Sequence, residues 1–144
     1  MKHKGAIMEY SKERMDDLMR AYDEYISSCD YIRMSEVYKI IVNMPSRRFW
    51  VSDIRAALII SAMMRGKTNL STMCPLKKEM YEEIYNRVFK LQKEYPELTI
   101  SELCAKVIAQ PAPKFYLTPG SAKVMVCKAR KQWIQEKWKR LRLL

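Results

Sequence analysis

Glycine is almost missing from this chain, three in 144 residues, so the glycine-rich loops that cradle phosphates have nothing to be built from. Histidine occurs once, as His3, and no Ser/His/Asp constellation or metal-ligand spacing assembles around it. Cysteine is sparse: Cys29, Cys74, Cys104 and Cys127 stand far apart with no C-x-x-C pair. That spacing argues against a zinc site or a disulfide framework, and for reduced thiols buried as small apolar residues in an intracellular chain. Long apolar runs are absent too. AALIISAMM at 56–64 falls far short of the ~20 residues that span a bilayer, and MKHKGAIMEY lacks a signal-peptide apolar region. The expectation is a cytoplasmic protein with no membrane span, no cofactor and no metal, and not an enzyme. Acidic pairs such as Asp16-Asp17 and Glu82-Glu83 do not alter this, because on exposed faces of long helices they are solvated or paired with lysines.

What the chain does have is an echo. PSRRFWVS at 45–52 returns as PAPKFYLT at 111–118, and the same offset of 66 holds without a gap from Met34–Ile60 to Ile100–Val126. Ser35/Ser101, Glu36/Glu102, Pro45/Pro111, Phe49/Phe115 and Ala56/Ala122 are identical, and Ile41/Val107, Arg48/Lys114, Trp50/Tyr116 and Ile60/Val126 are conservative. A chain of this length, 49% apolar, has room for one core that both copies share. We read a single domain over 1–144, with repeat one at 8–66, a linker at 67–73, repeat two at 74–132 and a basic tail at 133–144. Two copies suggest a pseudo-twofold pair, since a solenoid needs about three repeats or more.

The fold class read from this is all-α: two tandem pseudo-symmetric three-helix repeats sharing one core, with short extended connectors and a basic C-terminal helix. Met15, Leu18, Met19, Tyr22 and Ile26, and again Met80, Tyr81, Ile84, Val88 and Leu91, recur at helical spacing and mark two long first helices. The second helices open at Ser35 and after Thr99, the latter with Glu102 placed for a capping box, and end before Pro45 and Pro111. Ser52 and Thr118 cap the third helices, with Pro119 in a tolerated first-turn position. The octets are therefore connectors, with Phe49 and Phe115 expected in the core.

A trihelical layout of this kind resembles the helix-turn-helix class, whose last helix enters the major groove. The chain departs from it in a connector of about eight residues where that motif uses three or four, and in lacking the turn glycine. The third helix of copy one has only Asp53 and Arg55 as charged residues and is expected to lie buried, so the resemblance assigns any DNA contact to copy two.

Charge points the same way. Residues 8–66 carry nine basic and nine acidic side chains, whereas 121–144 carry eight basic ones against Glu136 alone, +7 of the chain's +11. Such a field favours a polyanion, nucleic acid above all. The expected contacts are Lys123, Lys128, Arg130, Lys131, Lys137, Lys139, Arg140 and Arg142, with Arg47, Arg48 and Lys114 from the octets. Trp50 and Tyr116 suit either stacking on a base or wedging the copies together. In the tail, Ile134, Trp138 and Leu141 recur at helical spacing and are expected to pack on the first helices, while Val124, Val126 and Trp133 supply the last helix's core contacts.

The functional expectation is a small non-enzymatic nucleic-acid-binding protein, DNA before RNA, with the texture of accessory or regulatory proteins of phages and mobile elements. The alternative is a structural or adaptor protein whose duplicated helices bind a protein partner. The octets separate the two. Should they share a face with the basic tail, nucleic acid gains; should they meet each other as internal packing, the adaptor gains.

Overall fold

A computed structural model describes residues 4–67 and 73–142, with side chains from Tyr10 onward. The described residues form six helices: α1 (Lys4–Ser28), α2 (Met34–Ile41), α3 (Asp53–Met64), α4 (Pro75–Glu94), α5 (Ile100–Ile108) and α6 (Pro119–Arg142). Among the described residues the only strand-like feature is an isolated antiparallel bridge between Ser46 and Ala112. Of the expected linker 67–73, residues 68–72 lie outside the described residues, as do Lys2 and His3.

The helix boundaries follow from local chemistry. Thr99 accepts a hydrogen bond from the Glu102 amide at 3.3 Å while the Glu102 carboxylate accepts from the Thr99 amide, so α5 opens on a complete capping box. Ser52 and Thr118 accept from the amides of Arg55 and Ser121, both at 3.1 Å, and start α3 and α6. α2 differs: it begins one residue early, at Met34, and Arg33 in the cap position makes no side-chain bond. α3 closes on Gly66 at φ +69°, with the amides of Gly66 and Lys67 donating to Met63 and Ala62, a Schellman end that needs the left-handed residue glycine supplies.

Two compact units result. One holds α1, α2 and α6; the other, residues 45–116, holds α3, α4 and α5 together with the first octet and the second as far as Tyr116. In the first, Leu18, Ala21 and Tyr22 of α1 pack with Val37, Tyr38 and Ile41 of α2 and with Ala122 and Val126 of α6, all buried. In the second, Ala56 and Ile60 of α3 meet Ile84 and Val88 of α4 and Leu103, Cys104, Val107 and Ile108 of α5, with Phe49 inserted among them. Phe49 and Phe115 are 1% and 4% exposed, as read from the echo.

Consecutive triplets of helices do not form the units; the third helices have changed company. α3 packs on α4 and α5, and α6 on α1 and α2. The reason lies in the connectors. A three- or four-residue turn folds a helix back on its predecessor, whereas the extended octets carry the chain onward.

Further expectations need correcting. α3 is covered on one side only, so Ile54 and Leu58 are 68% and 65% exposed. In α6, Val124 stands two residues from both Ala122 and Val126, about 200° round the helix, and therefore faces solvent. Trp133 is exposed, and so is the tail stripe of Ile134, Trp138 and Leu141, because α6 continues to Arg142 as one helix and, among the described residues, no element packs closely over that end. Asp17 is buried, its carboxylate accepting two bonds from the Arg20 guanidinium at 2.7 and 2.9 Å. The cysteines also divide. Cys104 is buried, its thiol pushed up to about 11 by desolvation, while Cys29 is half-buried and Cys74 and Cys127 are exposed.

Truncating Phe115 to Ala should cost about 3–5 kcal/mol in chemical denaturation, as for a buried aromatic. Leu58→Ala should stay within about 0.5 kcal/mol, since its side chain is already in water. Equal costs for the two would contradict this division between core and surface.

Candidate nucleic-acid interface

The octets come first, because they contribute five of the expected contact residues. Ser46 and Ala112, each almost fully buried, exchange two backbone hydrogen bonds of 3.0 Å. The Ser46 hydroxyl donates to the Arg48 carbonyl at 2.8 Å and lies 3.3 Å from that of Lys114, and the Phe49 amide donates to the Ile108 carbonyl. The Phe49 and Tyr116 rings stack with centroids 6.1 Å apart and 19° between their planes. The octets meet each other.

This geometry occupies most of the side chains they offered to a ligand. Arg48 folds back, its guanidinium donating to the Phe49 and Val51 carbonyls and lying 5.2 Å over the half-buried Trp50 ring. Lys114 pairs with Glu79 of α4 at 2.7 Å and sits 5.5 Å over the Tyr116 ring. Arg87 of α4 completes the clamp, stacking 4.9 Å over Phe49 and donating to Glu83, Gln110 and the Pro111 carbonyl. Arg47 alone among these cations is largely exposed. Sequence reasoning missed the Glu79, Glu83 and Arg87 row, although its i, i+4, i+8 spacing along one helix face was there to be read.

Tyr116 is the tightest point. Its φ of 57° is left-handed, costly for any side chain larger than glycine, and Trp50 at the matching place in the other octet shows no such angle. The ring contacts hold it there. Burial, then the carboxylates Glu83 and Glu79, push its phenol up to about 12, with Arg87 opposing them.

α6 is built differently. Its 24 residues extend about 36 Å, and Lys123, Lys128, Arg130, Lys131, Lys137, Lys139, Arg140 and Arg142 are all exposed along it. Among the described residues none of the eight forms an ion pair. Arg130 reaches the Tyr22 hydroxyl at 3.5 Å, and Lys137 lies 5.1 Å over the Trp133 ring. The cations point round the helix and not to one side. That distribution suits phosphate oxygens, which a strand presents along its whole length, better than base edges, which need a few side chains aimed together.

No family model matches the chain, and no curated protein or solved structure matches it either. The residues alone must carry the functional argument.

Because Tyr116 is held neutral by burial, its contribution to stability is complete below pH 10 and is lost as pH rises through about 12. Tyr116→Phe keeps the ring and removes the titration. The variant should therefore lose less stability than the native chain between pH 10 and 12 in denaturant midpoints. Parallel losses would show that the phenol is not desolvated.

Proposed function

We propose that this is a small non-enzymatic nucleic-acid-binding protein whose α6 contacts the phosphate backbone. The observation that carries the reading is the set of eight exposed cations on one helix, opposed by Glu136 alone and free of ion pairs among the described residues. Cations left unpaired in this number favour a polyanion and release its counterions on contact. The octets take no part beyond Arg47, since Arg48, Lys114, Trp50 and Tyr116 serve as packing.

We propose further that the chain is an internal duplication of two pseudo-symmetric three-helix repeats. Matched positions share their burial: Leu18/Ile84, Val37/Leu103, Ile41/Val107, Phe49/Phe115, Ala56/Ala122 and Ile60/Val126 are buried in both copies. Ser46 and Ala112 are also matched positions, and antiparallel pairing of a residue with its own counterpart is what a twofold relation produces. On this reading each copy lends its third helix to the other.

A second reading has its own support. The octets meet as internal packing, which is the arrangement expected of a structural or adaptor protein, and the apolar side chains left bare on α6 would then face a protein partner.

Binding to a mixed-sequence DNA duplex across a salt series separates the two. If about five of the eight cations touch phosphate, log affinity should fall against log salt with a slope of about −4 to −5. Changing Lys137, Lys139, Arg140 and Arg142 to Glu should flatten the slope and weaken all sequences alike, with the fold intact because these side chains are exposed. No detectable binding to DNA or RNA at low salt, or binding indifferent to the four reversals, would leave the adaptor reading.

A further inference from the structure

α6 has a core-facing stripe that runs out from under its cover. Ala122, Val126, Ala129 and Trp133 succeed one another at i, i+4, i+7 and i+11, and so lie on one side of the helix. Ala122 and Val126 are fully buried and Ala129 half-buried, yet Trp133 is 62% exposed. Toward this end α1 and α6 enclose a cleft of about 970 Å³, near the top of the ~300–1,000 Å³ range of ligand clefts. Met15 and Met19 of α1 line it opposite the Trp133 indole.

We propose that this cleft takes unpaired bases of single-stranded nucleic acid. The inference rests on the reading of α6 as a nucleic-acid-binding helix and names the substrate class. An indole beside flexible thioethers is a platform for a flat ring, and a base offers its face only when it is out of the duplex. The charges of the lining divide the nucleotide between inside and outside. Asp16, Asp23 and Glu136 repel phosphate and can accept hydrogen bonds from base N–H groups, the imide of thymine included, while Lys12, Arg130 and Lys139 attract the backbone. Taken alone the lining is balanced, three against three. The surplus that draws a strand comes from the remaining cations of α6.

The stacking pair read from the octets is thus replaced. Trp50 lies under Arg48 and Tyr116 is stacked on Phe49, so neither presents a clear face.

Fluorescence tests the proposal, because Trp50→Phe with Trp138→Phe leaves Trp133 as the sole indole. Titration at low salt with an oligothymidylate of about 20 nucleotides should quench Trp133 and give an affinity about tenfold or more above that for a duplex of equal length. Trp133→Ala should weaken the single-strand complex about tenfold while changing duplex binding less than about twofold. Lys12→Glu, a surface change on α1, should weaken it as well, which guards against a folding effect at Trp133. Duplex bound as tightly as oligothymidylate, with Trp133→Ala indifferent to both, overturns the cleft assignment and leaves backbone binding standing. Loss of all nucleic-acid binding in the native chain removes both readings. Should phosphatidylglycerol vesicles shift the Trp133 emission where oligothymidylate does not, the cleft serves a lipid surface and the proposal fails.

Discussion

Two backbone hydrogen bonds between Ser46 and Ala112 hold the arrangement in place. Each residue follows a proline, which has no N–H to give, and each is almost wholly removed from water. A buried amide or carbonyl left unpaired costs about 1–3 kcal/mol, so two non-helical segments can enter an otherwise helical core only by satisfying each other. The Ser46 hydroxyl extends the pairing to the Arg48 carbonyl, and Phe49 reaches back to the end of α5. Once the octets are joined, their aromatics have one place to go. Phe49 enters the core of α3, α4 and α5, Tyr116 lies flat against it, and Arg87 closes over the pair.

That constraint also decides what was legible in the sequence. Caps, prolines and helical periodicity are local, and Thr99, Glu102, Ser52, Thr118 and Pro119 did what their chemistry requires of them. The route of the third helices was not legible. If α1–α2 and α4–α5 offer nearly equivalent surfaces, as matched burial suggests, α3 and α6 find acceptable packing on either, and no single residue of α3 says which. The choice belongs to the connector, through a contact between residues 66 apart.

Amphipathic patterns have a related blind spot. They report which side of a helix is apolar without reporting whether another element covers it. Ile60 and Leu58 are equally good core residues by type, yet one meets α4 and α5 and the other meets water. Trp133 shows the same failure in a more useful place, since a tryptophan on the core-facing stripe stayed exposed where α1 and α6 enclose a cleft. Asp17 is the converse case. A carboxylate counted as surface is buried, made tolerable by a two-pronged bond to Arg20 three residues on.

Packing does not explain the charge of α6, and comparison with α3 shows why. The two helices bury residues at the same spacing, Ala56 and Ile60 in α3 and Ala122 and Val126 in α6. At the positions where α6 carries Lys123, Lys128 and Arg130, α3 carries Ala57, Ala62 and Met64. A helix can therefore do this structural work with hardly any cations. The helix dipole accounts for some of the excess, because Lys139, Arg140 and Arg142 sit in the last turn where positive charge is favoured by about 0.3–1 kcal/mol each. It does not reach Lys123, Lys128, Arg130, Lys131 or Lys137. Mutual repulsion among them opposes folding, and among the described residues no carboxylate pairs with any of them to relieve it. On the proposed function an anion from outside the chain would relieve it, and a strand of phosphates would match a helix whose cations follow its length on every side.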